Sequence, residues 1–141
     1  MRIMVLANND IGLYKFRKEL IERLVFDGHD VIVSIPDGDF VDEIRNLGCK
    51  VYTTSISRHG TNPVEDFRLF RKYKSLLKYL RPDIVFAYTI KPNIYGGMAC
   101  ASLKIPYVVN ITGLGSAVEK PGFLQFITVL LYRFGLRSVQ T

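Results

Sequence analysis

Short apolar runs rich in β-branched residues alternate along this chain with longer segments in which apolar residues recur every three or four positions. Runs that are apolar almost throughout are typical of strands buried on both faces of a parallel sheet. Their alternation with amphipathic segments predicts an α/β domain, a three-layer, doubly wound parallel sheet with helices on both faces. Right-handed crossovers favour the strand order 3-2-1-4-5. The strands are predicted at Arg2–Ala7, Asp30–Ile35, Lys50–Thr54, Asp83–Ala87 and Tyr107–Ile111.

Five helices are predicted from the remaining segments. The first ends at Gly28, and the third begins at Pro63 with Asn62 as its N-cap residue. The first carries a core-facing stripe of Leu13, Phe16, Leu20, Ile21, Leu24 and Val25. The corresponding stripe of the third consists of Phe67, Phe70, Tyr73, Leu76, Leu77 and Leu80. The other three helices are predicted at Phe40–Leu47, Ile94–Leu103 and Phe123–Leu136.

The length and composition indicate one globular domain over residues 1–141. The first apolar run is too short for a signal peptide. Cys49 and Cys100 lack metal-ligand spacing, and we interpret them as reduced core thiols of a cytoplasmic protein rather than as a disulfide. The formal net charge of +6 favours anionic partners such as a sugar nucleotide, a pyrophosphate, an anionic membrane or nucleic acid.

Polar, glycine-bearing loops follow the predicted strands at the edge of the sheet where doubly wound folds bind ligands. Gly12 would let a phosphate approach backbone N–H groups at a helix start, or it only makes a tight turn. Lys91 is expected to contact an anion, with a solvated lysine as the alternative. Arg58 offers a bidentate contact to a phosphate or carboxylate. The candidate binding residues are Asn9, Asp10, Gly12, Arg58, Thr61, Asn62, Lys91, Asn93, Thr112, Gly113 and Gly115.

No catalytic residue is fixed by these loops. His59 is placed as a general base would be, or it is a solvated loop histidine, and Asp10 is the second candidate. The first strand is not followed by G-x-G-x-x-G, and no acidic residue ends the second strand. Dinucleotide binding is therefore not expected, and a Walker lysine loop is absent as well. No metal site is predicted.

The loop sequences together resemble those of bacterial family 4 glycosyltransferases with the GT-B fold, in the branch that assembles capsule, exopolysaccharide and lipid-linked oligosaccharides. The resemblance covers the whole chain in order. It rests on Val5-Leu6-Ala7-Asn8-Asn9-Asp10-Ile11-Gly12-Leu13-Tyr14-Lys15-Phe16-Arg17, Arg58-His59-Gly60-Thr61-Asn62-Pro63, Tyr88-Thr89-Ile90-Lys91-Pro92-Asn93-Ile94-Tyr95-Gly96 and Asn110-Ile111-Thr112-Gly113-Leu114-Gly115.

The resemblance implies two Rossmann-like domains that face a cleft. The N-terminal one mainly binds an acceptor, often a polyprenyl-diphosphate sugar, and the C-terminal one binds most of the nucleotide sugar. It also implies transfer that retains the anomeric configuration, with no metal and no cofactor beyond the donor substrate. The chain would then be the acceptor-side half of a GT-B fold, inactive without its donor domain. Many relatives carry a histidine after the fifth strand, where this sequence has Thr112-Gly113.

Two alternatives to an enzyme half remain open: a non-catalytic α/β module that binds an anion or a partner protein, and one subunit of a two-chain transferase. The third helix bears six basic residues that are either solvated or contact an anionic membrane, which would place the protein on the inner face of the cytoplasmic membrane. The strongly apolar segment Phe123–Leu136 suggests self-association. No nucleic-acid partner is expected.

Overall fold

A computed structural model describes residues 1–57 and 62–111 of the chain. Its sheet has five parallel strands in the order β3-β2-β1-β4-β5, so the predicted fold class and strand order are confirmed. The strands are β1 (Arg2–Leu6), β2 (Asp30–Ile35), β3 (Lys50–Thr53), β4 (Ile84–Tyr88) and β5 (Tyr107–Asn110). Their ends differ from the predicted ones by one residue at most.

Helices cover both faces of this sheet. They are α1 (Asp10–Phe26), α2 (Val41–Asn46), α3 (Pro63–Leu80) and α4 (Gly97–Leu103). A π-helical turn, Pro92–Gly96, leads directly into α4, so the predicted fourth helix begins earlier than expected. A methyl group on Gly96 would lie 2.5 Å from Leu6 Cδ1, which shows how closely this turn packs on β1. The predicted fifth helix lies outside the described residues.

Alternate residues of the strands fill two separate cores, as the side-chain period of two requires. Met4 and Leu6 of β1 pack with α3 and α4, whereas Val5 and Ala7 pack with α1 and α2. Cys49 and Cys100 are buried and unbonded to each other, one in each core, which confirms their assignment as core thiols. Burial raises the pKa of Cys49 to about 11 and that of Cys100 to about 12.

Three residues of the predicted core stripes are exposed instead. Phe16 is 73% exposed, Leu20 is 39% exposed and Phe67 is 59% exposed. In α3 the inward line runs through Asp66, Leu69, Tyr73, Leu77 and Leu80, and Phe67 lies one position, about 100° of helix rotation, away from it. In α1 the line of residues at four-residue steps runs from Leu13 through Arg17 to Ile21. Phe16 and Leu20 each lie one position before this line and are therefore rotated away from the core.

The start of α3 follows its sequence signals. The Asn62 side chain accepts a hydrogen bond from the Val64 N–H at 3.1 Å, and Pro63 occupies the first turn, which confirms the predicted cap. No helix within the described part of the chain is long and apolar enough to cross a membrane.

Candidate functional site

A cleft of about 570 Å³ opens beyond the carboxyl ends of β1 and β4, where the strand order reverses. This is the edge at which doubly wound sheets bind ligands. The cleft is called the α1-side cleft below, because residues from the first two turns of α1 form one wall. Its lining residues are Ala7, Asn8, Asn9, Gly12, Leu13, Phe16, Arg17, Tyr88, Thr89 and Asn110.

Two of the predicted binding residues, Asn9 and Gly12, line this cleft. Asn9 is the N-cap of α1, and its side-chain oxygen accepts a hydrogen bond from the Gly12 N–H at 3.2 Å. An anion at the Gly12 N–H would therefore have to replace this capping bond. A methyl group on Gly12 would meet nothing closer than 3.7 Å, so packing in this structure does not require glycine there.

Arg17 and Tyr88 form the charged and aromatic part of the cleft, and the sequence interpretation overlooked both. The Arg17 guanidinium carbon lies 4.9 Å from the centroid of the Tyr88 ring. Burial raises the pKa of Tyr88, and the neighbouring Arg17 charge works against that shift. The signal was present: Arg17 follows Leu13 by one helical turn, and Tyr88 ends the strand beside β1.

Thr89 follows β4 directly, and its backbone has a φ of 71°. This left-handed conformation is unfavourable for a β-branched residue and costs on the order of 1–3 kcal/mol. The hydroxyl of Thr89 donates a hydrogen bond to the Tyr88 carbonyl, and its own carbonyl accepts from the Asn93 N–H at 3.0 Å. The strained residue thus turns the chain from the strand at the cleft into the π-helical turn.

Asp10, a candidate for both catalysis and binding, points away from the α1-side cleft. Its carboxylate is buried, and Oδ2 accepts a hydrogen bond from the Phe40 N–H at 2.9 Å. A methyl group on Gly38 would lie 2.2 Å from this oxygen, so the loop after β2 closes tightly over the carboxylate. Asp10 therefore anchors that loop, and its catalytic role stays a prediction.

Lys91 is buried, so the solvated alternative for this residue is wrong. Its ammonium lies 2.9 Å from Asp66 Oδ1, and both side chains are only 10% exposed. Asp66 Oδ2 accepts a hydrogen bond from the Tyr95 hydroxyl at 2.9 Å. The anion that Lys91 contacts in this structure therefore belongs to α3 of the same domain.

Lys91 and Asp66 line a second cleft of about 410 Å³, on the α3 side of the sheet. Its lining residues are Ser55, Ile56, Ser57, Glu65, Asp66, Arg68, Leu69, Lys72 and Lys91. The predicted binding residues are thus divided between two clefts rather than gathered in one.

The remaining predicted site residues fall into two groups. Asn62 caps α3, and Asn93 is fully buried with its amide nitrogen donating to the Asn110 carbonyl at 3.1 Å, which ties the turn after β4 to the end of β5. The other predicted site residues lie outside the described part of the chain: Arg58, His59, Thr61, Thr112, Gly113 and Gly115. Among residues 1–57 and 62–111, no group of three or more His, Cys, Asp or Glu side chains is arranged to hold a metal ion.

Comparison with known proteins identifies a protein family that matches this chain. A family model described as "Glycosyl transferase 4-like" matches residues 2–141. The chain is 30% identical over 142 residues to the N,N'-diacetylbacillosaminyl-diphospho-undecaprenol alpha-1,3-N-acetylgalactosaminyltransferase of Campylobacter jejuni. That alignment covers 97% of this chain and 38% of the relative, so the chain spans well under half of that protein's length.

Solved structures share the fold at low sequence identity. The UDP-GlcNAc 2-epimerase from Neisseria meningitidis matches with a TM-score of 0.66 and 15% identity, over 96% of this chain and 39% of that one. MurG from Acinetobacter baumannii matches with a TM-score of 0.64 and 18% identity, over 92% and 39% respectively. At these identities the likeness supports the fold alone.

Proposed function

Because the chain belongs to the family of glycosyl transferase 4-like proteins, we propose that it is the acceptor-binding half of a retaining glycosyltransferase. The acceptor is a saccharide carried on a polyprenyl diphosphate, and the donor is a nucleotide sugar. In the reaction an acceptor hydroxyl forms the new glycosidic bond, while the bond between the sugar and the nucleoside diphosphate breaks. The name of the Campylobacter relative, a transferase that acts on a diphospho-undecaprenol-linked saccharide, supports this choice of acceptor.

The observation that carries the proposal is the composition of the α1-side cleft. Its volume lies within the range of about 300–1,000 Å³ that is usual for small-molecule sites. The amide side chains of Asn8 and Asn9 offer donors and acceptors for sugar hydroxyls. The exposed ring of Phe16 beside them offers an apolar surface for the carbon face of a sugar. A few polar groups beside an apolar wall suit an oriented saccharide.

We assign donor binding to a part of the enzyme outside this chain, either a second domain or a partner subunit. The chain spans 38% of the length of the Campylobacter relative, which leaves most of that protein without a counterpart here. Transfer depends on holding donor and acceptor together in the reacting geometry, and a half that holds one of them cannot supply that positioning. The chain alone is therefore expected to bind an acceptor and not to transfer sugar. The proposed mechanism assigns no step to a metal ion.

The outer face of α3 fits a contact with the acceptor's membrane. The basic residues of α3 and its C-cap are Arg68, Arg71, Lys72, Lys74, Lys78 and Arg81, of which Arg68 and Lys72 also line the second cleft, and no ion pair within the described residues involves any of them. Each basic residue near an anionic bilayer contributes about 1 kcal/mol of attraction. The proposal therefore includes peripheral binding at the inner face of the cytoplasmic membrane.

The transfer assay uses purified chain, a diphospho-undecaprenol-linked saccharide and UDP-N-acetylgalactosamine, followed by chromatography of the lipid-linked product. No product is expected from the chain alone, and turnover would refute the assignment of donor binding to another part of the enzyme.

Acceptor binding is measured by saturation-transfer NMR with the same lipid-linked saccharide in detergent. Phe16→Ala is expected to weaken binding at least several-fold. Phe26 is 83% exposed at the far end of α1, so Phe26→Ala removes an equally apolar ring there and should leave binding unchanged. Equal effects of the two substitutions would move the acceptor away from the α1-side cleft. Absence of acceptor binding, with the fold intact, would favour the alternative of a non-catalytic module.

A further inference from the structure

We propose that the α1-side cleft selects a saccharide that carries a carboxylate, as a hexuronic acid does, and that Arg17 is the residue that determines this specificity. This inference rests on the proposed acceptor-binding function and narrows its substrate class. It comes from the charges that line the cleft in the described part of the chain.

Among the described residues that line the cleft, Arg17 is the one fully charged side chain. No carboxylate from residues 1–57 or 62–111 lines the same space, and the nearby acid Asp10 is buried and accepts a hydrogen bond from the Phe40 N–H. The cleft therefore presents a single positive charge with no counter-charge of its own among the described residues, beside neutral amide groups.

Two cations of the same helix are paired with described residues, whereas Arg17 and the exposed Lys15 are not, and of these two only Arg17 lines the cleft. Lys18 lies 4.0 Å from Glu22, and Arg23 lies 3.1 Å from Asp27. Within the described residues Arg17 makes no ion pair; it donates a hydrogen bond to the Phe16 carbonyl at 3.2 Å and also interacts with the Tyr88 side chain by a hydrogen bond. Most of its five N–H donors are therefore available to a ligand.

The Tyr88 ring limits the freedom of this guanidinium. The cation lies 4.9 Å from the ring centroid, and Tyr88 is itself buried. A guanidinium held in this way loses less side-chain entropy when it binds, and its planar fork matches the two oxygens of a carboxylate. A single guanidinium also balances the one charge of a carboxylate, whereas a phosphate monoester would keep part of its charge uncompensated.

The test is an NMR titration of the isotope-labelled full chain with three probes: methyl glucoside, methyl glucuronide and methyl glucoside 6-phosphate. We expect the glucuronide to bind at least about tenfold more tightly than the glucoside, and more tightly than the phosphate. The backbone signals that shift should belong to the residues that line the α1-side cleft.

Substitutions separate charge from geometry. Arg17→Gln should reduce the preference for glucuronide over glucoside to about one, and Arg17→Lys should leave an intermediate preference because it keeps the charge and loses the bidentate fork. Arg23→Gln, on the same helix and paired away from the cleft, should keep the full preference.

The possible contrary results distinguish a failure of this inference from a failure of the proposed acceptor site. Equal binding of glucuronide and glucoside at the cleft would overturn this inference and leave the proposed saccharide binding in place. Preferred binding of the phosphate would also overturn it, since the site would then recognise a phosphoryl group. Absence of binding by all three probes would count against both this inference and the proposed acceptor site.

Discussion

Replacement of Lys91 by alanine is expected to destabilise the fold, because it would leave a buried carboxylate without its cation. The Asp66 side chain is 10% exposed, its Oδ1 lies 2.9 Å from the Lys91 ammonium, and the Tyr95 hydroxyl donates to its other oxygen. Removal of one partner of a buried ion pair costs about 3–5 kcal/mol. The Tyr95 hydrogen bond remains, so we expect a loss of about 3 kcal/mol, a large part of the 5–15 kcal/mol that is typical of a domain.

Urea denaturation followed by circular dichroism measures this loss. For a domain of this size the melting temperature should also fall by about 10 °C. The double substitution Lys91→Met with Asp66→Asn removes both charges and keeps an oxygen for the Tyr95 hydroxyl. It should recover most of the stability, because a buried ion pair contributes little beyond its uncharged replacement. Lys78→Ala, on the exposed face of α3, should change the free energy of unfolding by less than about 0.5 kcal/mol. A loss below about 1 kcal/mol for Lys91→Ala would refute the argument, since the carboxylate would then be solvated in solution.

Three further substitutions test the packing of the two cores and the surface. Tyr73→Phe should raise stability by about 1 kcal/mol in thermal denaturation, because the fully buried Tyr73 hydroxyl has no hydrogen-bond partner among the described residues; a lower melting temperature would contradict this. Gly38→Ala should cost about 1–3 kcal/mol in urea, because the new methyl group would displace the Asp10 carboxylate, and an unchanged midpoint would show that the loop has room. Asp30→Asn should cost at most about 1 kcal/mol of unfolding free energy at pH 7, since the ion pair that Asp30 forms with Arg2 is partly exposed. A hydrogen bond from Arg2 lowers the pKa of Asp30 in the folded protein, so this contribution is present at neutral pH and is lost as the pH falls through the folded pKa; the difference in stability between wild type and variant should therefore shrink as the pH is lowered into the acid range.

The sheet could be predicted from the sequence because its determinants are local. Most strands are short runs that are apolar on both faces, and the longer helices show their own start or end signals, such as the Asn62 cap or the glycine at position 28. The handedness of crossovers then leaves few possible strand orders. The strand order can therefore be predicted from the composition of the apolar segments, without information on side-chain contacts.

The contacts at the two clefts could not be predicted in the same way. The ion pair between Asp66 and Lys91 joins residues 25 positions apart, and nothing in the local pattern of either segment marks the other as its partner. Phe67 was placed in the core because it is apolar, yet the polar Asp66 beside it takes the inward position, since Lys91 and Tyr95 supply its partners. A buried charge can be recognised only once its counter-charge has been located.

The segment after β4 connects the two clefts, and its conformation explains why one short motif supplies residues to both. Thr89 lines the α1-side cleft, and Lys91, two residues later, lines the cleft on the α3 side. The left-handed backbone at Thr89 ends the extended strand, and the following turn starts with the hydrogen bond to the Thr89 carbonyl and packs against α3. A relaxed extended residue at this position would prolong β4 and carry Lys91 away from Asp66. The positive φ at Thr89 costs free energy, and the contacts of Lys91 and Tyr95 with Asp66 offset that cost. The strained residue and the buried ion pair therefore depend on each other.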